Sequence, residues 1–591
     1  MLAVTRWALL CCCLLGILTA RPTLATAAGA GDPESTGFVQ VSGGSLAYEV
    51  RGDGPPLVLL HDGLLPSATW DGQIAVLAES FRVIRYDRRG FGKSTPPVGK
   101  GTWSDVDDLA AVFAALHVDR AVVAGCSSGA ALAVDFALAH PERVESLVLV
   151  GPVVSGLPLS EHFTRRGIVN YLPLYREQSL EKAIDNWVFD HWLTDAGSTA
   201  AKVKLRTLLT ANPLPVRGLA DAKAPDRPAA GRLGEIRVPT LIVVGASDIP
   251  DVHAQSGVLE AGIHGAHRVV LPGAGHLAHF EKPDEFNRIV LEFLRPADVA
   301  RKQLEPYRGD RTFEQSRDLF AYGTGSLDVT EAGSEDRGGV KVVDLHYASP
   351  LGGRVPAYLI LPPGGGKHPG VVFLHPGQGD RSTFVDEAVG LARRGIASLT
   401  IGAPFTRPEV KQRERTVFDS DVDRKDQLQT IIDLRAAFDL LAGRLEVDAT
   451  RLAYVGHSLG ATVGGTLAGL DKRPVAFVLI AGYPALSRAH RQGHDPASLV
   501  FQEFLTPAQQ DAYANILGPL DALHWIGHAA PAKLLFQWVH RDEYISPVDA
   551  ALYFQAASSP KEEKWYDTDH AFNDQARKDR DDWLAAALGV R

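Results

Sequence analysis

Two serines in this chain sit in the pattern Gly-x-Ser-x-Gly, and each is followed by its own aspartate and then its own histidine. The first copy is Gly125-Cys126-Ser127-Ser128-Gly129 and the second is Gly456-His457-Ser458-Leu459-Gly460. A serine hydroxyl is a weak nucleophile at neutral pH. It needs a base within hydrogen-bond reach and an acid to orient that base. Flanking glycines let a strand turn sharply into a helix, which exposes the serine and aims the next backbone N–H at a developing oxyanion. One copy of so short a pattern is weak evidence. Two copies, each between a predicted strand and a predicted helix, predict two complete acyl-transfer sites on one polypeptide.

Each half supplies the remaining parts. In the first, a strand at 241–244 runs into Gly245-Ala246-Ser247-Asp248, and Gly273-Ala274-Gly275-His276 presents a histidine on a loop before a helix. The predicted set is Ser127, Asp248 and His276, with the amides of Ser128 and of Gly63 or Leu64 as oxyanion donors. Asp251 and His279 are the rivals, and they fall farther from the strand ends. In the second half, a strand at 534–538 leads to Val539-His540-Arg541-Asp542, and Asp569-His570-Ala571-Phe572 follows. There the set is Ser458, Asp542 and His570, with Glu543 as rival acid. The donors are the amides of Leu459 and of Gly377 or Gln378. Cys126 reads as a small packing residue and His457 as a helper of the turn. The run Asp87-Arg88-Arg89-Gly90-Phe91-Gly92-Lys93-Ser94 reads as a structural brace built on charge pairing and capping, with substrate contact as the alternative.

The elements that must position these residues alternate between strand and helix, which predicts doubly wound parallel sheets. In the first half a strand pair covers 38–50, and buried strands follow at 57–60, 82–86, 121–124 and 144–150. A helix over 105–117 has Ser104 as its N-cap, and a helix over 130–140 stops at Pro141. The stretch 155–237 breaks the pattern: it is mostly helical, and it predicts a cap inserted over the first site. Its Tyr171, Trp187, Phe189 and Trp192 fit either an apolar acyl pocket or simple core packing. Strand periodicity resumes at 239–244, and 286–294 is the closing helix. The polar stretch 297–339 reads as a linker with one short helix near 312–319. A second α/β pattern then fills 340–591, with strands at 342–347, 357–361, 371–374, 397–400, 452–455 and 476–480. It has a long helix at 426–441 and a partly helical insertion at 485–530.

At 591 residues the chain is too long for one core. Its composition, 45% hydrophobic and 22% charged, is that of globular domains and excludes bulk disorder. A net charge of −10 argues against a nucleic-acid partner. Arg6, an apolar run at 7–18 too short to cross a bilayer, and the small residues Ala25-Thr26-Ala27 predict a secretory signal peptide over 1–27. An uncleaved anchor is the alternative. Cleavage leaves no stable membrane span. It also removes Cys11, Cys12 and Cys13, so Cys126 remains and no internal disulfide is expected in the exported chain.

Both halves resemble the α/β-hydrolase superfamily. The first, 38–296, is similar to its capped members through the loop His61-Asp62-Gly63-Leu64, the run 87–94, the turn at Ser127 and the loop at His276. It departs at Asp62, where the family usually has glycine. The other half more closely resembles dienelactone-hydrolase or acetyl-xylan-esterase relatives. That likeness rests on Tyr347-Ala348-Ser349-Pro350 through Pro362 and on His375-Pro376-Gly377-Gln378-Gly379. Serine instead of cysteine at Ser458 points to the esterase branch. The resemblance implies two doubly wound α/β-hydrolase domains in tandem and hydrolysis with neither metal nor organic cofactor. It leaves the substrate open.

These readings predict an exported tandem serine hydrolase acting on small-molecule carboxylic esters. The same machinery serves carbon–carbon or amide hydrolysis, or acyl transfer, in the first domain. A reading from another class makes one domain an idle binding module. Haloalkane and epoxide hydrolysis are disfavoured, because on this fold they use a carboxylate at the turn. Oligomeric state is not legible in the sequence.

Overall fold

The computed structural model describes residues 34–590 apart from positions 98, 100, 218–221, 324, 408–417 and 493–495. The signal peptide expected over 1–27 lies outside the described residues.

The first half folds into an eight-stranded sheet. Its strands are β1 (Glu34–Val41), β2 (Gly44–Arg51), β3 (Pro56–Leu60), β4 (Arg82–Tyr86), β5 (Ala121–Cys126), β6 (Val144–Val150), β7 (Thr240–Gly245) and β8 (Ala266–Leu271). They lie in the order β1-β2-β4-β3-β5-β6-β7-β8. β2 pairs antiparallel with β1 and β4, and every other neighbour is parallel. Parallel neighbours need crossovers, and the helices that supply them cover both faces. Successive residues of each strand therefore enter opposite cores. Leu57, Leu59, Val122, Ala124, Val148, Leu241 and Val243 belong to one apolar cluster. Val58, Leu60, Val123, Leu147, Leu149 and Ile242 belong to the other. That is why these strands read as unbroken apolar runs.

The second half forms a nine-stranded sheet from β9 (Thr330–Asp336), β10 (Lys341–Ala348), β11 (Arg354–Leu361), β12 (His368–Leu374), β13 (Ala397–Ile401), β14 (Val447–His457), β15 (Pro474–Ile480), β16 (Lys533–Val539) and β17 (Lys561–Tyr566). Their order is β17-β16-β15-β14-β12-β13-β11-β10-β9. With β9 set aside, the order and strand directions are those of the first sheet. Both serines thus follow the equivalent central strand, β5 in one sheet and β14 in the other.

The stretch read as a linker departs from expectation. β9 lies within it, at the edge of the second sheet, and all seven of its residues are exposed. A fully exposed edge strand shows no apolar alternation, so periodicity passes over it. Helix Pro296–Leu304 packs on helix Pro547–Ala556, burying Ala300 among Ala485, Leu523, Val548 and Leu552. The short helix near 312–319 is Thr312–Ser316 followed by a 3-10 turn, Arg317–Phe320, and Phe320 enters the second core. The edge strands β8 and β17 also escape the sequence reading. β17 reads Lys-Glu-Glu-Lys-Trp-Tyr, with only Tyr566 buried.

Between β6 and β7 lie the helices Glu161–Arg176, Leu180–Val188, Thr199–Ala211 and Leu214–Arg217. Ser160 and Ser179 cap the first two, their side chains accepting from Phe163 N–H and Lys182 N–H. Ala183, Ile184, Trp187, Val188, Leu205 and Leu209 join the sheet face carrying Leu57 and Val122. The insertion is therefore a packed cap and shares the first core. Trp187 lies in that core, edge-on to Tyr171 at 5.3 Å, whereas Phe189 is 67% exposed and faces solvent.

Candidate active sites

Both serines adopt a backbone that side chains usually avoid. Ser127 has φ 54° and ψ −116°, and Ser458 has φ 54° and ψ −111°. Such a conformation costs about 1–3 kcal/mol and persists only where its surroundings enforce it. Here the strand and the following helix touch. A Cβ on Gly125 would lie 2.2 Å from Gly129 O, and one on Gly129 would lie 2.5 Å from the carbonyl oxygens of Leu60 and His61. The second turn repeats this: a Cβ on Gly456 would be 2.4 Å from Gly460 O, and one on Gly460 would be 2.4 Å from Leu374 O. The serine amides are tied to the neighbouring strand, Ser127 N–H to Val150 O at 2.9 Å and Ser458 N–H to Ile480 O at 2.7 Å.

The structure brings each predicted acid to its predicted base. His276 Nδ1–H donates to Asp248, with Nδ1 2.9 Å from Oδ2 and 3.1 Å from Oδ1, and both side chains are buried. His570 Nδ1–H donates to Asp542, with 2.9 Å to Oδ1 and 3.0 Å to Oδ2. Asp542 Oδ1 also accepts from the amides of Tyr544 and Ile545, at 2.9 and 3.0 Å. The first pair sits over the end of β6, beside the elbow strand. A Cβ on Gly151 would approach His276 Nδ1 to 2.9 Å and Asp248 Oδ2 to 3.2 Å. Neither serine hydroxyl bonds its histidine among the described residues; such bonds are often long until the reacting complex forms. Burial disfavours a charged His276 ring, but the charge and hydrogen bond of Asp248 outweigh it and raise the pKa above the ordinary histidine value.

The rivals have other work. Asp251 accepts from Ser160 N–H and Oγ–H at 2.7 and 2.8 Å and so anchors the first cap helix. His279 is fully buried against Trp70, its ring centroid 4.1 Å away, and burial pushes its pKa down to about 3. Glu543 is exposed. The Cys126 thiol is buried and pushed well above its ordinary pKa, the opposite of an activated thiolate. His457 donates Nε2–H to His570 O at 2.9 Å; burial lowers its pKa to about 3, which makes it a neutral brace.

The two oxyanion loops share a design. His61 donates Nδ1–H to Asp62 O at 2.7 Å and accepts Arg88 N–H at Nε2, 2.9 Å away. His375 donates Nδ1–H to Pro376 O at 2.6 Å and accepts Ala403 N–H at Nε2, 3.1 Å away. Burial lowers both pKa values, that of His61 to about 3, so each ring is a neutral strut across the loop. Asp62 Oδ1 accepts from Leu64 N–H at 2.6 Å and Leu65 N–H at 2.9 Å. That takes up the Leu64 amide, so of the two candidate donors Gly63 is the one Asp62 does not engage. Gly63 and Gly377 each lie two residues after the strut histidine. Next to Gly377, a cavity of about 400 Å³ is lined by Gln378, Asp380, Thr383, Phe405 and Thr406.

Sequence reasoning underrated Arg88. The run 87–94 is a brace, with Asp87 accepting from Ser67 and Lys93 and Arg89 paired to Asp108. Yet the Arg88 guanidinium also reaches Ser128 Oγ and Asp62 O, both at 2.7 Å. The only signal in the sequence was the Arg itself, which surface pairing explains equally well. Among the described residues no group of three His, Cys, Asp or Glu side chains is arranged to hold a metal ion. No described helix is long and apolar enough to cross a membrane.

The elbow geometry makes a direct prediction. Gly129→Ala and Gly460→Ala each force a methyl onto a backbone carbonyl and should lower stability by about 1–3 kcal/mol, read by denaturant titration of the full chain. Gly231→Ala, with nothing within 4 Å of its Cβ position, should stay within about 0.5 kcal/mol of the parent.

Comparison with known proteins bears on the family. A model of the Alpha/beta hydrolase family matches residues 57–289. The 2-hydroxy-6-oxononadienedioate/2-hydroxy-6-oxononatrienedioate hydrolase of Klebsiella pneumoniae is 35% identical over 279 residues, covering 44% of this chain and 96% of that protein. The protein of the same name from Escherichia coli K12 is 34% identical over 258 residues, covering 41% of this chain and 88% of that one. Among solved structures, a hydrolase from Pseudomonas aeruginosa PA01 is similar at 28% identity and a TM-score of 0.38, covering 45% of this chain and all of that one. A relative this similar over almost its whole length, on a chain that builds the same strand order twice, settles the kinship: the chain belongs to the alpha/beta hydrolase family.

Proposed function

We propose that this hydrolase is an exported tandem serine esterase whose two domains each cleave a carboxylic ester through an acyl-enzyme. The observation that carries the reading is the repeated arrangement of a serine at positive φ with a hydrogen-bonded Asp–His pair, on two sheets of one topology. In the first domain Ser127 Oγ attacks the ester carbonyl while His276 takes its proton and Asp248 holds the imidazole. The amides of Gly63 and Ser128 receive the oxyanion, the ester C–O bond breaks as His276 returns the proton to the leaving alcohol, and water deprotonated by His276 then cleaves the acyl-enzyme to release the acid and restore Ser127. Ser458, His570, Asp542, Gly377 and Leu459 take the same parts in the second. The test is fluorophosphonate labelling, with esterase assays on Ser127→Ala, Ser458→Ala and the double variant. Label on both serines, and loss of all esterase activity in the double variant, is expected. Full activity in the double variant would sink the reading, and label on one serine alone would leave the other domain as a binding module.

A second reading for the first domain comes from its relatives. The aligned stretch of the Klebsiella protein has the length of one domain, and that protein is named for hydrolysis of an oxo-dienedioate. The same triad supports carbon–carbon cleavage of such a compound. Turnover of that compound by the Ser458→Ala chain, exceeding its turnover of simple esters, would favour this reading over ester hydrolysis.

The raised pKa of His276 sets the pH dependence of the first site. The base must be neutral to accept the serine proton, so activity falls as pH drops through a value above the ordinary histidine pKa of about 6.5. Asp248→Asn should move that acid limb downward and cut kcat on the order of 10³–10⁴-fold. A limb that stays put would separate Asp248 from the reaction.

Export is part of the proposal. Arg6, the apolar run at 7–18 and Ala25-Thr26-Ala27 support cleavage after Ala27. Sequencing the N-terminus of the protein from its native host should return a chain starting at Ala28; an intact Met1 start in the cell interior would overturn it.

A further inference from the structure

The acid and base loops of the first site are both fastened to the cap. His276 N–H donates to Trp192 O at 2.9 Å, and Leu277 N–H to Leu193 O at 3.2 Å. On the acid side Ser247, the residue before Asp248, donates Oγ–H to Asp195 Oδ2 at 2.7 Å. Glu281 stands between them, at the end of the short helix Ala278–Glu281. Its Oε1 accepts Gly275 N–H at 2.7 Å, its Oε2 accepts Asp195 N–H at 2.7 Å, and Ser198 donates to it as well. The two segments are in contact here: a Cβ on Gly275 would lie 2.9 Å from Trp192 O and 3.1 Å from Asp195 N.

A carboxylate is costly to bury unless donors meet it, and charge-assisted bonds to backbone amides are roughly twice as strong as neutral ones. A carboxylate that spends one oxygen on each of two chain segments therefore fixes their separation. We propose that Glu281 is a positioning residue for the first site: it pins cap residues 192–198 to the His276 loop, so that acid and base are aligned only when the cap is seated. The proposal rests on the reading of Ser127, Asp248 and His276 as the reacting set. The second site has a different arrangement. There His570 is held from within its own domain by His457, through the Nε2–H bond to His570 O. The effect of Glu281 is thus confined to one of the two sites.

The test uses the full chain carrying Glu281→Gln, an isosteric change in which an NH2 group replaces one acceptor, so one backbone N–H loses its partner. Hydrogen–deuterium exchange is followed by mass spectrometry in peptides covering 192–199 and 272–279. Hydrolysis of p-nitrophenyl acetate is followed in a Ser458→Ala background, which leaves the first site to be read alone. Exchange should quicken in both peptides. kcat should fall about 10-fold or more, since small misplacement of reacting groups costs up to about 10²-fold, while KM stays within about twofold. Ser247→Ala, which cuts the acid-side tie without changing charge, should lower kcat in the same direction. In the chain carrying Glu281→Gln alone, fluorophosphonate labelling of Ser458 should match the parent.

Unchanged exchange, or faster exchange with unchanged kcat, overturns the positioning role. Loss of Ser458 labelling overturns it too, because the effect would then be general unfolding. A parent chain whose Ser127 takes no label defeats the catalytic reading and the positioning role with it. A labelled parent with an indifferent Glu281→Gln variant defeats the positioning role alone.

Discussion

A serine held at positive φ, where a strand and a helix come into contact, is the constraint on which the rest of each domain depends. The contact leaves no room for side chains at Gly125, Gly129, Gly456 or Gly460. It also requires the ends of β3 and β12 to lie against the helix start, because Leu60, His61 and Leu374 present their carbonyls there. Placing the turn on a central strand meets that demand. β5 is buried along all six residues and held by parallel neighbours on both sides. Strain of about 1–3 kcal/mol at one residue is small against burial worth about 1.5–3 kcal/mol for each large apolar side chain.

At each turn the acid facing the histidine is met by donors. Asp248 and Asp542 face histidine N–H groups, and backbone amides complete their shells. The struts His61 and His375 are kept neutral by burial, so they brace their loops without adding charge beside the serine turns. The Asp62 carboxylate caps its loop through the amides of Leu64 and Leu65. That contact occupies the Leu64 amide.

The two halves share strand order but differ in what holds the base. In the first, the cap passes over the site and its segment 192–198 bonds to both the acid and the base loops. In the second, His457 in the elbow itself supports His570. One topology thus carries one site coupled to the insertion between β6 and β7, and one site braced from its own turn. The segment between the sheets is no free tether, since Ala300 and Phe320 are buried and β9 extends the second sheet.

The sequence by itself determined the two serine turns, the pairing of each Asp with its later His, the doubly wound class and the helical stretch between β6 and β7. Each of these depends on local demands: glycine beside a strained serine, apolar runs for strands buried on both faces, serine caps and helical spacing. Tertiary structure decided what depends on non-local partners. Leu64 could be separated from Gly63 only by seeing where the Asp62 carboxylate goes. Distance from the strand ends ranked Asp251 and His279 behind Asp248 and His276 in the sequence, and their contacts with Ser160 and Trp70 show what they do instead. Edge strands such as β9 and β17 carry no regular apolar alternation, so no periodicity marks them; hydrogen bonds to a neighbouring strand define them. The reach of Arg88 to Ser128 and the placement of Glu281 between cap and base loop belong to the same class, because a charged side chain carries no local sign of the segment it will bind.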